Sequence, residues 1–307
     1  MAPSLRTRIA GMDLKNPVML ASGILGTTAA MLRAVALSGV SAVVTKSVGL
    51  EPREGYSNPT IVAVKGGFIN ALGLPNPGIE AFMKELLELS DLRSLDVHLI
   101  VSIYGFSIDE IIQVASRVSD SPLTSAIELN VSCPHVGGVH ELGSDPRALK
   151  LVIEALKKVL KKPLIVKLSP NVGDPIRVAK AAVDAGADAL TLTNTIRAMA
   201  IDIESGRPIL SNRVGGLSGP ALKPIALRIV YEVSRSLKVP IIGCGGIETA
   251  QDALEFLMAG ASAVQIGSAL ATRGLGVFKD ILEGIEAYLS RKGFRGLDDV
   301  IGLSQRY

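Results

Sequence analysis

Ala185-Gly186-Ala187-Asp188-Ala189-Leu190 recurs twice in altered form, as Ser38-Gly39-Val40-Ser41-Ala42-Val43 and as Ala259-Gly260-Ala261-Ser262-Ala263-Val264. Each copy reads as a helix stopped by glycine and followed at once by a buried strand. Outward from these copies, short apolar runs alternate with longer amphipathic stretches. Candidate strands cover residues 17–21, 42–46, 97–103, 126–130, 163–168, 189–193, 240–243 and 263–267. Most are near-continuous apolar runs, the pattern of parallel strands covered on both faces. Candidate helices include 145–160, 174–184, 220–236 and 249–258. Asp145-Pro146 and Asp174-Pro175 each set a capping carboxylate before a proline at the first helical position. Eight strands alternating with helices predict an α/β chain, a (β/α)₈ TIM barrel in one domain over residues 1–307. An open doubly wound sheet is the alternative, but Ser22-Gly23-Ile24-Leu25-Gly26 matches its Gly-rich turn poorly. The connections 49–76 and 197–219 read as long loops over the C-terminal face of the barrel, where such folds carry their chemistry.

Composition narrows the function. With 48% hydrophobic and 20% charged residues, the 307-residue chain can bury a large core. Its net charge is only +3, and aromatic residues make up 4% with no Trp, so a stacking platform for nucleic acid is not expected. Two cysteines, Cys133 and Cys244, exclude a disulfide framework and are too few for an iron–sulfur cluster of this chain's own. Three histidines leave little for a metal site. The apolar run 18–21 is too short for a signal peptide or a membrane span, so a cytoplasmic protein without membrane contact is expected.

Four features at strand ends could carry chemistry. Lys46 and Lys167 end apolar strands, where a cation is costly unless an anion meets it. An ion pair with a nearby carboxylate would satisfy each; two such lysines on separate strands favour an anionic ligand in the barrel mouth. Glycines close the last two strands, in Gly243-Cys244-Gly245-Gly246 and Gly267-Ser268, where barrels commonly bind phosphate; Gly215-Gly216-Leu217-Ser218-Gly219 could add donors. Tight turns use glycine as well. Cys133 follows strand four in Glu128-Leu129-Asn130-Val131-Ser132-Cys133-Pro134-His135, and Pro134 keeps it out of the strand and in the mouth. Burial as a small hydrophobe is the plainer reading of a cysteine, and it is the one adopted for Cys244. Asn70, Asn130 and Asn194, three of only eight asparagines, lie near strand ends and offer donors and acceptors to a planar heterocycle. Turn chemistry accounts for Asn58-Pro59 and Asn76-Pro77.

From about residue 5 to 288 the chain resembles the dihydroorotate dehydrogenases of the soluble, cysteine-using class. The matching motifs are Lys15-Asn16-Pro17, Ala21-Ser22-Gly23, Thr45-Lys46-Ser47, Gly55 with Asn58-Pro59, Asn70-Ala71-Leu72-Gly73-Leu74, Asn76-Pro77-Gly78 and Asn130-Val131-Ser132-Cys133-Pro134. Lys167-Leu168-Ser169-Pro170, Asn194-Thr195, Gly215-Gly216-Leu217-Ser218-Gly219 and Gly245-Gly246-Ile247 complete the set. The resemblance implies one FMN per chain and oxidation of dihydroorotate to orotate in pyrimidine synthesis. It implies that Cys133 is the base removing the C5 proton and that Lys167 faces the flavin pyrimidine. Ser22, Lys46, Ser47, Ser102, Asn130, Thr193, Gly219, Gly245, Gly246, Gly267 and Ser268 would hold the cofactor. Lys46, Asn70, Ala71, Leu72, Gly73, Leu74, Asn130, Asn194 and Thr195 would hold the substrate.

Two positions depart from the family pattern: His135 replaces an Asn after the Cys-Pro pair, and Ser102 replaces a strand-three Asn. A homodimer is expected. The motifs fit best the type in which a second subunit carries FAD and a 2Fe–2S cluster and passes electrons to NAD, a heterotetramer. The alternatives are a homodimer that reduces fumarate, a dehydrogenase acting on another pyrimidine and, from a different class, a Schiff-base aldolase using Lys46 or Lys167.

Overall fold

A computed structural model describes residues 2–132 and 142–307. Eight parallel strands close into a barrel. They are β1 (Val18–Leu20), β2 (Ala42–Val44), β3 (His98–Ile103), β4 (Thr124–Asn130), β5 (Leu164–Leu168), β6 (Ala189–Leu192), β7 (Ile241–Cys244) and β8 (Ala263–Ile266). All eight strands expected from the apolar runs are present, shifted by one or two residues at their ends. Lys46 accordingly lies two residues past the end of β2 and not within it.

The helices form the outer ring because each carries one apolar stripe. In the helix Pro146–Val159, Leu149, Val152, Ile153 and Leu156 are buried at helical spacing against the strands. Asp145 accepts from the Arg147 N–H and Asp174 from the Arg177 N–H, so both expected caps are present, one starting that helix and the other the helix Pro175–Asp184. At the start of the helix Ala250–Met258, Thr249 and Asp252 exchange bonds in a capping box. Among the described residues no helix is long and apolar enough to cross a membrane.

The barrel interior is built in layers, because every second residue of a strand points inward. At the bottom, even-numbered strands contribute Ala42, Ala126, Ala189 and Ala263. Above them the odd strands contribute Met19, Ile100, Ile165 and Ile242. The next two inward positions change character: Val44, Glu128, Thr191 and Gln265, then Ala21, Ser102, Lys167 and Cys244. At the rim stand Lys46, Asn130, Thr193 and Gly267. The lower half is thus apolar packing and the upper half is a polar floor beneath the mouth.

Two elements were not apparent in the sequence. An N-terminal hairpin, Thr7–Ile9 paired with Met12–Leu14 through an Ala10-Gly11 turn with positive φ at both residues, plugs the bottom of the barrel. Ile9, Met12 and Leu14 pack on the interior layers, and the small alanines leave room for them. The expected long loops are also not loops throughout. Strands Ile61–Val64 and Gly67–Asn70 from one, and Ile196–Ala198 and Gly215–Ser218 from the region of the other, form a four-stranded antiparallel sheet.

Because Leu14 is fully buried on the alanine layer, Leu14→Ala should cost about 2–5 kcal/mol of stability. Chemical denaturation measures it; a change below about 1 kcal/mol would show that the plug is not part of the barrel core.

Candidate functional site

Above the polar floor lies a cavity of about 840 Å³, walled by strand ends and covered by the antiparallel sheet. Its lining combines Ser22, Lys46, Ser47, Asn130, Lys167 and Thr193 with Gly245, Gly246, Gly267 and Ser268. From the covering segments come residues 70–74, Asn194 and Thr195. The structure therefore brings together residues that lie as much as 246 positions apart, from Ser22 to Ser268.

Two expected residues stand elsewhere. Ser102 is fully buried, with its Oγ 2.9 Å from Ser47 Oγ, so it backs a wall residue and does not form the wall. Gly219 sits where the two covering segments cross: a Cβ there would meet Gly67 Cα at 2.6 Å. Gly215 and Gly216 belong to the covering sheet, not to a donor loop. A Cβ on Gly216 would fall 2.1 Å from Thr195 Oγ1, so glycine is what lets Thr195 and Asn70 converge. Cys133 and His135 lie outside the described residues.

The two lysines differ in their partners. No carboxylate among the described residues pairs with Lys46, which is half-buried on the cavity wall. Burial lowers its pKa from the ordinary lysine value. Lys167 is only 5% exposed and does have a carboxylate near it: Glu128 Oε1 lies 3.9 Å from Nζ. The Lys167 ammonium donates to Gln265 Oε1 at 3.1 Å. Burial opposes its charge, but Cys244 and Glu128 outweigh that and hold its pKa above the ordinary value. Burial also raises the Cys244 thiol, against the opposing pull of the Lys167 ammonium. Cys244, expected to be packing alone, lines the cavity beside this ammonium. Glu128 and Gln265 had been given no role, although a carboxylate two residues before Asn130 in an apolar strand was the available signal.

The amides form a second group. Asn194 Nδ2 donates to Asn130 Oδ1 at 3.1 Å and to Ser132 Oγ at 2.6 Å. Asn130 Nδ2 donates to Ser47 Oγ at 3.2 Å, and its Oδ1 accepts from the Ser132 N–H at 3.1 Å. This network ties the ends of β2, β4 and β6 together and fixes the chain at Ser132, one residue before Cys133. Arg53 and Arg197, on the cavity wall, were not anticipated; Arg53 lies 4.9 Å over the Phe106 ring.

Residues 4–289 match the family described as dihydroorotate dehydrogenase. The chain belongs to that family. Curated relatives agree along almost the whole length. The chain is 48% identical over 304 residues (99% of both chains) to the "Dihydroorotate dehydrogenase B (NAD(+)), catalytic subunit" of Pyrococcus furiosus. Proteins of the same description from Methanocaldococcus jannaschii and Pelobacter propionicus are 46% identical over 302 residues and 45% over 304. These matches cover 98% of this chain, and 98% and 99% of the relatives.

Dihydroorotate dehydrogenases use FMN and oxidise dihydroorotate to orotate. The site fits that cofactor. Among the described residues none accepts a hydrogen bond from the backbone N–H of Gly246, Gly267 or Ser268, so these donors remain for a phosphate. Gly246 has φ +71°, and a Cβ on it would lie 2.7 Å from the Gly219 carbonyl oxygen, so no larger residue fits that wall. The two lysines, with Arg53 and Arg197 and the amide network, suit planar, anionic ring systems.

The Lys46 environment predicts a pH effect. The side chain is cationic below its lowered pKa and neutral above it, so the orotate dissociation constant should rise as pH climbs through that value, below the range of a free lysine. Titration by fluorescence quenching tests this. Lys46→Arg keeps its charge and should remove the alkaline rise that is due to the lysine; a profile unchanged by this substitution would assign it to the ligand instead.

Proposed function

We propose that this chain is the catalytic subunit of an NAD-linked dihydroorotate dehydrogenase, with Cys133 as its base. The observation that carries the reading is the Asn130–Ser132–Asn194 network, which secures the backbone immediately before Cys133 at the edge of the cavity. Bound FMN supplies the acceptor for the hydride that leaves C6 of dihydroorotate. Cys133 Sγ takes the C5 proton as the ring double bond forms, and Lys46 meets the substrate carboxylate. Asn70, Asn130, Asn194 and Thr195 orient the substrate ring through their amide and hydroxyl groups. Lys167 presents a buried positive charge where negative charge develops on the cofactor side, electrostatic work that costs no reorganisation in a site already built. Gly245, Gly246, Gly267 and Ser268 hold the phosphate end.

A thiol with an ordinary pKa near 8.5 is mostly protonated at neutral pH, so turnover should rise with pH through the thiol pKa. In anaerobic mixing, dihydroorotate should bleach the flavin of the wild-type chain. In Cys133→Ala the bleaching rate should fall at least about a hundredfold, the size of general-base catalysis, with orotate still bound. Bleaching at the wild-type rate would remove Cys133 from the base role.

The names of the relatives support a partner, since each is called a catalytic subunit of an NAD(+) enzyme. We assign FAD and a 2Fe–2S cluster to that partner, in a heterotetramer around a homodimer of this chain, because two cysteines are too few to hold the cluster here. The isolated chain should reduce artificial dyes but not NAD, and co-expression with the partner should restore NAD reduction. Brisk fumarate reduction by the chain alone would favour the fumarate-linked alternative.

A further inference from the structure

Lys167 is held by a buried group of side chains that the reaction as described does not use. Glu128 is fully buried in the interior layer just below Lys167. Its two oxygens are treated unequally. Oε2 accepts from Gln265 Nε2 at 2.7 Å and from Thr191 Oγ1 at 2.9 Å. Oε1 has no hydrogen-bond partner among the described residues and lies 3.9 Å from Lys167 Nζ. Gln265 spans the pair: its amide N–H donates to the carboxylate and its carbonyl oxygen accepts from the ammonium. The Gln265 carbonyl takes one of the three Lys167 donors, the Cys244 sulfur stands beside the ammonium as a second partner, and 3.9 Å is too long for a hydrogen bond to Glu128. The ammonium is thereby kept near a counter-charge without being bonded to it, with a donor left for the cavity that it lines.

We propose that Glu128 and Gln265 are positioning residues that keep Lys167 protonated beneath the cofactor, and so set how much more tightly the chain holds reduced than oxidised FMN. The inference rests on the reading that Lys167 faces the cofactor. A lysine this deeply buried would shed its proton without a carboxylate nearby. A direct Lys–Glu salt bridge would keep the proton but spend the charge on the protein. The separation through Gln265 avoids both outcomes. Thr191 has a lesser part, as a second donor that turns Oε2 away and leaves Oε1 towards the lysine.

The test is the ratio of dissociation constants of oxidised and reduced FMN, obtained from the midpoint potentials of free and bound flavin. Glu128→Gln should lower the preference for the reduced form at least tenfold, about 30 mV for a two-electron couple. Gln265→Leu, which keeps the carboxylate, should lower it at least threefold. Thr191→Val should leave it within twofold. In Glu128→Gln the further change Lys167→Arg should recover most of the loss, because a guanidinium keeps its charge without the carboxylate; a purely structural role for Glu128 would not be rescued this way. An unchanged or increased preference in Glu128→Gln overturns the proposal, and if that variant does not fold, an unchanged ratio in Gln265→Leu does so. Lys167→Met separates the two readings. If it too leaves the ratio unchanged, Lys167 does not sense the cofactor; if it lowers the ratio while Glu128→Gln does not, only the positioning role fails.

Discussion

A carboxylate and an ammonium share the inside of a closed barrel, with one glutamine between them, and the upper half of the molecule is arranged around that fact. Isolated charges at such depth are very costly, so Glu128 and Lys167 must answer each other. Their pairing is imperfect by the standard of a structural salt bridge, at 3.9 Å and with one carboxylate oxygen unbonded. A cofactor site gains from this. The ammonium lines the cavity while its carboxylate stays out of hydrogen-bond reach.

The layered interior makes that arrangement affordable. Below the polar floor, four alanines and the Met19, Ile100, Ile165 and Ile242 layer pack with the N-terminal hairpin, so the barrel is sealed where water would otherwise reach Glu128 from beneath. Above it, the rim residues Asn130 and Asn194 fix one another and Ser132. Rigidity at the base and a cross-linked rim are the conditions under which preset charges act on a reacting ligand without rearranging.

Much of this was legible along the chain. Parallel strands buried on both faces cannot be polar, so their apolar runs stand out, and Asp145-Pro146 and Asp174-Pro175 mark helix starts by local chemistry alone. Lysines at the ends of such runs are equally conspicuous. The hairpin plug escaped because three-residue strands carry too little pattern to separate from coil. The covering sheet escaped because Gly67–Asn70 and Gly215–Ser218 pair across 146 to 150 positions, and half of the second strand is glycine. Ser102 was expected on the wall; it shares the layer of Lys167 and Cys244, but Ser47 stands in front of it and closes it off from the cavity.

The eight strands, the family and the residue types at the barrel mouth could be read from the chain alone, because strand period, capping and motif spacing are local properties. What each charged residue faces is set by the closed barrel. Lys46 and Lys167 look alike in sequence, both ending apolar strands. Closure of the barrel leaves the first without a carboxylate among the described residues and sets the second above Glu128 and against Gln265, 98 positions away. Contacts of that kind depend on how strands are staggered around a closed sheet, and no segment read alone contains that information.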